Sequence, residues 1–305
     1  MVELSIIIQE HNEGKEFIDK MISQVSDISI DHETIFVTSM NTNEFTQRYG
    51  PFDKKIRVIG DVQSCGAARN AGASAAIGRS LLFMDCHICF KDDDLLTLMK
   101  TLNTHPGALV GPEITPIEFP ECTTGGGLAH GVAFYFDEIP FEWKWLHAPT
   151  LEKEFEAPFI CGCAFVMRKA TFNVLKEYGG FLDRHIGLSW EEEKSMRLWR
   201  LGHATYVEPR AQFGHLFKGY GDHPKWDEHS TSGYHLSRVI GIWINVFDEN
   251  LFNHIKKLCI ETWGQEIWDY NFNIAEKEFS WLRNKLKPMR DNIDEDWFLR
   301  RSTVG

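Results

Sequence analysis

The 305-residue chain predicts an α/β fold with a mostly parallel central sheet and a helical C-terminal extension. Three features carry that prediction. Short apolar runs alternate with stretches of helical spacing through the N-terminal part of the chain, the signature of strands connected by helices. A small-residue segment, Gly66-Ala67-Ala68-Arg69-Asn70-Ala71-Gly72, runs straight into the apolar stretch Ser80-Leu81-Leu82-Phe83-Met84. Residues 234–298 are aromatic-rich and read as helical.

In order, residues 4–8 read as a buried strand, and Phe17, Ile18, Met21, Ile22 and Val25 give the helix that follows. Residues 34–38 and 56–59 predict the second and third strands, 67–77 a closely packing helix, and 80–84 a fourth strand. Residues 92–102 predict a helix whose acidic first turn suits its dipole. From 106 to 158 the pattern loosens around Gly125-Gly126-Gly127 and Phe141-Glu142-Trp143-Lys144-Trp145, and an irregular stretch of this length is more often functional than decorative. Strand 159–167, helix 170–178 and helix 191–201 follow. The organisation is therefore an α/β domain over 1–218, a mobile loop over 219–233 and a helical extension over 234–305.

Composition narrows the function. Net charge is −12 and no long basic run interrupts it, which argues against nucleic acid as the main partner. No stretch approaches the ~20 apolar residues of a membrane helix. The seven cysteines, at 65, 86, 89, 122, 161, 163 and 259, show no spacing that suggests a disulfide framework. Met1-Val2-Glu3 leads directly into the first strand, so the expectation is a cytoplasmic protein with reduced thiols and no signal peptide. Cys86-His87-Ile88-Cys89 and Cys161-Gly162-Cys163 have no second His or Cys pair suitably placed for a structural zinc site and read as small buried hydrophobes.

The fourth strand ends Asp85-Cys86-His87. In an open α/β sheet ligands bind beyond the carboxyl ends of the strands. Side chains at i and i+2 of extended chain point the same way, so Asp85 and His87 can share one divalent cation. Gly214-His215-Leu216-Phe217 offers a third ligand, His215, from a separate segment.

These residues also resemble a known family. Ile6-Ile7-Ile8-Gln9-Glu10-His11-Asn12-Glu13 is similar to the first-strand motif of the GT-A glycosyltransferases, Arg69-Asn70 to their ARN element, and Asp85-Cys86-His87 to their Asp-x-Asp metal motif. The His variant, with His11-Asn12-Glu13, Arg197-Leu198-Trp199, Gly214-His215-Leu216-Phe217 and the helix carrying Arg238 and Trp243, resembles the polypeptide N-acetylgalactosaminyltransferases over residues 4–247. That resemblance implies a GT-A (Rossmann-like) nucleotide-sugar fold binding a UDP-sugar. It implies Gln9 and Glu13 near the uracil, Arg69 on the base or a phosphate, and Asp85, His87 and His215 on Mn²⁺ or Mg²⁺. Ser39 stands where such enzymes usually place an Asp. It implies a nucleotide-sugar donor and, as acceptor, a peptide, a glycan or a small molecule meeting a face near Trp143, Trp145 and Glu191.

Ser189-Trp190-Glu191-Glu192-Glu193-Lys194 differs from the WGGEN motif of the animal enzymes and resembles equally the Glu-Asp motif of inverting family 2 enzymes, where a carboxylate is the general base. The Arg197 spacing favours Glu191 for that role, with Glu192 one residue away. The polypeptide transferase likeness implies instead retention, with the acidic cluster orienting the acceptor. Two other function classes stay open, a sugar-nucleotide pyrophosphorylase and a catalytically inactive nucleotide-sugar-binding module. Against the first, the first strand leads into an acidic segment and not a Gly-rich loop.

Overall fold

Strand β1 (Leu4–Glu10) is buried along nearly its whole length because it has a parallel neighbour on each side, β2 (His32–Thr38) and β4 (Ser80–Asp85). β3 (Ile56–Ile59) extends the sheet beyond β2, giving the spatial order β4-β1-β2-β3. Side chains alternate between two cores: Ile6, Ile8, Leu82 and Met84 enter one, while Ile7, Leu81 and Phe83 enter the other. This two-sided burial is what an apolar run without alternation encodes. The structure is a computed structural model of the chain and describes residues 2–11, 13–118, 121–124, 132–135, 142–145, 152–182, 190–217 and 230–292, with only the backbone at 124, 132–135, 142–145, 190–192 and 230–234.

Helices α1 (Lys15–Ser26), α2 (Thr42–Tyr49) and α3 (Cys65–Ala75) connect these strands. α3 starts at an Ser64 cap, whose hydroxyl accepts from Ala67 N–H at 3.1 Å. Its small residues let it lie against β1: a Cβ on Gly72 would sit 2.4 Å from Ile7 Cγ2. The eight-residue α2 is absent from the sequence reading, since so short a segment shows little more than two turns of pattern, anchored by Phe45 and Tyr49.

After β4 come the two-residue β5 (Ile88–Cys89), α4 (Asp92–Thr104), and the long strand β6 (Leu109–Glu118). Then follow β7 (Thr123–Thr124), a hairpin of β8 (Val132–Tyr135) and β9 (Glu142–Trp145), β10 (Phe155–Glu156), β11 (Ala164–Arg168) and α5 (Lys169–Glu177). α6 (Trp190–Arg200) leads into β12 (Thr205–His215). The sheet order is β10-β12-β6-β11-β4-β1-β2-β3, with β11 antiparallel to both its neighbours and β12 parallel to β6. α7 (Ser230–Asn245), α8 (Glu249–Trp263) and α9 (Gln265–Leu286), ending in a 3-10 segment Lys287–Asn292, form the extension. α7 begins inside the stretch read as loop, and residues 218–229 lie outside the described residues. No described helix is long and apolar enough to cross a membrane.

β6 is a central strand within the stretch read as irregular, and β12 is one the sequence reading left unassigned. β6 carries Pro112 and Pro116, which ordinarily argue against an interior strand. It pairs with β11 only at Leu109 and Val110, so both prolines lie beyond that ladder. β12 carries Pro209 within a bulge between Glu208 and Gln212.

The expectation of reduced thiols throughout is corrected at one pair. Cys89 and Cys122 form a disulfide, with Cα atoms 5.9 Å apart. Linear spacing hid it because the pair is 33 residues apart and is brought together only by the β5–β12–β6 pairing and the β6–β7 hairpin. Cys86, Cys161 and Cys163 are buried thiols, as expected.

β6 also buries a carboxyl. Glu113 is fully buried beside Gln212, and burial pushes its carboxyl up to about 7 from the ordinary 4.5. The folded chain therefore holds this proton more tightly than the unfolded chain. The contribution is fully present below about pH 4.5 and lost as pH rises through about 7, an effect of about 3 kcal/mol at most. Glu113→Gln should flatten the fall in stability between those limits, read from urea midpoints across that range; an unchanged slope would show that Glu113 ionises without cost.

Candidate functional site

The parallel register sets Gln9 of β1 opposite Asp85 of β4, and the strand order reverses between them. That is the topological switch point, where a crevice opens beyond the strand ends. Asp85 is the last residue of β4, and Cys86–His87 is a turn. The expected extended i, i+2 arrangement is thus corrected: the chain folds back so that β5 can pair with the end of β12. Gly214 pairs with Cys89 and His215 with Ile88, and Leu216 N–H donates to the His87 carbonyl at 3.3 Å. Only glycine fits at 214, where a Cβ would lie 2.5 Å from Ile117 Cγ2 on β6. The pairing gathers Asp85, His87 and His215, whose ligand atoms all lie within 4.8 Å of one another. His215 Nε2 is 3.5 Å from Asp85 Oδ2, and the two imidazole centroids are 4.9 Å apart.

A layer of acidic and hydroxyl groups orients this cluster. Glu13 Oε1 lies 3.0 Å from His87 Nδ1, which leaves Nε2 as the ring's ligand atom. Glu13 is itself held: its N–H donates to Glu10 Oε1 at 2.8 Å, and its carbonyl accepts from Tyr49 OH at 3.0 Å. Glu10 in turn accepts from the Thr38 hydroxyl, its register partner on β2. Glu13, expected beside a base, therefore stands directly behind His87. Burial alone would raise the Asp85 carboxyl, but its hydrogen bond with His215 and the electrostatic influence of His87, His215 and Arg69 outweigh it and hold it below the usual carboxylate range.

Arg69, expected to reach outward, is turned inward and buried. It donates to the Gly162 carbonyl at 2.9 Å and, through Nε, to the Gln9 side-chain oxygen at 3.1 Å. Its guanidinium lies over the Phe165 and Phe181 rings at 5.2 and 5.7 Å. Gln9 closes the set by donating to the Cys65 carbonyl at 3.2 Å. Ser39 sits half-buried just past β2, its carbonyl accepting from Gln63 at 3.2 Å. The parallel strand ends thus bring Gln9, Arg69, Asp85, Glu13 and His87 into one crevice, and β12 adds His215.

In the acidic segment Arg197 pairs with Glu193, one helical turn away, at 2.9 Å. The side chains of Glu191 and Glu192 lie outside the described residues, as do those of Trp143 and Trp145 and the whole of 218–229. Glu193 is buried against α7, where it hydrogen-bonds with Asn245; burial pushes its carboxyl up while Arg197 pulls it back. Arg197 also donates to the carbonyls of Tyr178 and, at 2.6 Å, Gly180. Asn70 grips the next residue, accepting from Phe181 N–H at 3.0 Å and donating to its carbonyl at 2.7 Å. The turn at Gly179 and Gly180, with φ of +100° and +65°, is thereby clamped between α3 and α6. Sequence reading missed Glu193, Glu10 and the Asn70 clamp. The i, i+4 spacing of Glu193 and Arg197 was the available signal for the first.

One carboxylate and two imidazoles fit a first-row divalent ion such as Mn²⁺ better than the all-oxygen shell Mg²⁺ prefers. A Rossmann-type half-sheet with such a cluster at its switch point is an α/β fold with a candidate metal site at its strand ends. The chain belongs to glycosyl transferase family 2, whose pattern matches residues 5–175. Among its relatives is polypeptide N-acetylgalactosaminyltransferase 11 of Xenopus tropicalis, 25% identical over 246 residues, covering 77% of this chain and 40% of that protein. Another is the inactive polypeptide N-acetylgalactosaminyltransferase-like protein 5 of Macaca fascicularis, 24% identical over 303 residues, covering 93% of this chain and 67% of that protein. The crystal structure of GalNAc-T7 with UDP, GalNAc and Mn2+ shares the GT-A fold, with a TM-score of 0.66 at 16% identity over 92% of this chain and 57% of that one. The chain thus spans between two fifths and two thirds of the proteins it resembles.

The clamp gives a stability prediction. Arg197→Met leaves Glu193 buried without its cation and frees the Tyr178 and Gly180 carbonyls, so unfolding free energy should fall by about 3–5 kcal/mol. Urea denaturation measures it, and a loss under about 1 kcal/mol would mean that Glu193 simply protonates without consequence.

Proposed function

We propose that this chain is a metal-dependent glycosyltransferase that moves a sugar from a UDP-sugar to a peptide acceptor. The observation that carries the reading is the convergence of Asp85, His87 and His215 at the switch point of the sheet. The relatives' names support a sugar nucleotide as donor and a polypeptide as acceptor.

In this reading Asp85, His87 and His215 hold a divalent cation, which when bound supplies Lewis-acid stabilisation of the charge on the departing nucleoside diphosphate. The remaining residues prepare the site. Glu13 fixes the tautomer and ring plane of His87. Arg69 adds positive charge behind Asp85 and ties α3 to the Gly162 turn. Gln9 and Ser39 line the strand ends where the base is expected. The turn clamped by Asn70 and Arg197 leads toward Glu191 and Glu192, to which we assign acceptor handling: either taking its proton or orienting it.

Metal-dependent UDP release from a panel of UDP-sugars, with and without EDTA, tests the reading. Asp85→Ala should remove turnover while leaving the fold intact, because a ligand at a crevice adds little to the core. Glu13→Gln should weaken Mn²⁺ binding by about 10–100-fold, measured by calorimetry, since a disturbed orienting partner commonly has that effect. EDTA-insensitive transfer by Asp85→Ala would sink the proposal. The inactive relative motivates a second reading, a module that binds the nucleotide sugar without turning it over. Saturable binding of UDP with Mn²⁺ but no UDP release with any donor or peptide would favour it.

The acidic segment supplies a separate outcome. If Glu191 is a general base, Glu191→Gln should lower kcat by about 10²–10⁴-fold with donor binding unchanged. If it orients the acceptor, the acceptor KM rises more than kcat falls. The anomeric coupling of the product, read by NMR, distinguishes inversion from retention independently.

A further inference from the structure

Cys161-Gly162-Cys163 is the one sequence motif singled out at the start that the proposed reaction leaves unused. The two thiols are nearly buried, and their sulfurs lie 3.4 Å apart, in van der Waals contact. Residues 162 and 163 form a turn immediately before β11, and its carbonyls hold the crevice together. The Gly162 carbonyl accepts from Arg69 and the Cys163 carbonyl accepts from Asp85 N–H, both at 2.9 Å. A covalent change at this pair therefore acts on the same backbone that positions a metal ligand and its cationic support.

We propose that Cys161 and Cys163 are a reversible dithiol–disulfide site, oxidised by small disulfides, whose closure weakens the metal site. One thiol, on losing its proton, attacks a sulfur of the small disulfide. That S–S bond breaks, one small thiol leaves, and a mixed disulfide remains on the protein. The second cysteine, losing its own proton, then attacks the protein-side sulfur, forming the Cys161–Cys163 bond and expelling the second small thiol. Two electrons and two protons have passed to the oxidant, which is reduced to two thiols. Closure draws the sulfurs from 3.4 Å to about 2.05 Å, and a turn of three residues takes up that movement in its backbone. The carbonyls facing Arg69 and Asp85 N–H move with it.

The chemistry sets this pair apart from the other cysteines. Cys89 and Cys122 are already joined, and Cys65, Cys86 and Cys259 are the other three thiols. Contact between two sulfurs is what makes the second attack intramolecular, and therefore fast relative to reduction of the mixed disulfide by solvent thiols.

The test treats the full-length protein with 2-hydroxyethyl disulfide, which is small and uncharged, then blocks remaining thiols and maps peptides by mass spectrometry. The expected result is a peptide spanning residues 154–168 that has lost two hydrogens and regains them with dithiothreitol. Persistence of a mercaptoethanol adduct on one cysteine, or an unmodified peptide, would overturn the proposal. The functional half rests on the metal site proposed above and is read separately. Oxidised protein should bind Mn²⁺ in the presence of UDP about 10-fold or more weakly than untreated protein, with recovery in step with the regained hydrogens. Equal affinity in both forms would overturn that half. If untreated protein binds no Mn²⁺, the metal reading fails, while the peptide masses still decide the dithiol. Cys161→Ser should lose both responses, and its circular dichroism melt reports whether it folds.

Discussion

The candidate site depends on a ladder of two residues. Asp85 and His87 belong to one segment, but His215 comes from the far end of β12, and it is set beside them because Gly214 and His215 pair with Cys89 and Ile88. Everything upstream serves that meeting. β12 must run parallel to β6 for eleven residues to arrive there, and the bulge at Glu208–Gln212 corrects its register on the way. Gly214 must lack a side chain to pass Ile117. The Cys86–His87 turn must reverse the chain so that β5 faces β12 at all. Three candidate ligands from two strand ends are thus a product of sheet topology, with little local sequence preference behind them.

Around this point the protein uses two different electrostatic strategies. Near His87 the acids are linked in series, Thr38 to Glu10 to Glu13 to His87, so each carboxylate accepts from a donor that fixes the next group. Around Glu193 a buried charge pair is tied to backbone carbonyls of the Gly179–Gly180 turn and to α7. The first arrangement sets a ring orientation at a solvent-reachable crevice. The second welds α6, α7 and the turn into one unit, at the desolvation cost that any buried ion pair carries. α9 adds to it: the Lys285 ammonium donates to the Glu177 carbonyl and lies 4.6 Å from the Tyr178 ring. The helical extension is therefore mechanically continuous with the turn that precedes the acidic segment.

What the sequence disclosed follows from how each element buries its side chains. β1, β4 and α3 were readable because both faces of the strands are apolar and the helix is built of small residues. β6 and β12 were not, since prolines and the buried Glu113 interrupt any apolar run, and only long-range pairing stabilises them. Asp85, His87 and His215 were readable as motif residues, and Gln9 and Arg69 fell in the same crevice. Arg69's inward direction was hidden, because whether a guanidinium reaches out or folds back depends on a carbonyl 93 residues away. The Glu193–Arg197 pair was legible only as i, i+4 spacing, since its burial depends on α7 packing against α6. The Cys89–Cys122 bond was invisible because spacing along the chain says nothing about two strands that share a neighbour.

That disulfide has a consequence for how the crevice can open. A strand of two residues contributes only a couple of ladder bonds, and such an edge would ordinarily fray in isolation, carrying His87 with it. The link from Cys89 to Cys122 ties β5 to the hairpin at the end of β6, two residues beyond His87. Fraying of β5 alone then gains little conformational freedom, because the loop stays tethered after its hydrogen bonds break. Opening becomes cooperative with the β6 core, and slow amide exchange at Leu216, whose N–H donates to the His87 carbonyl, is the local signature of that tether.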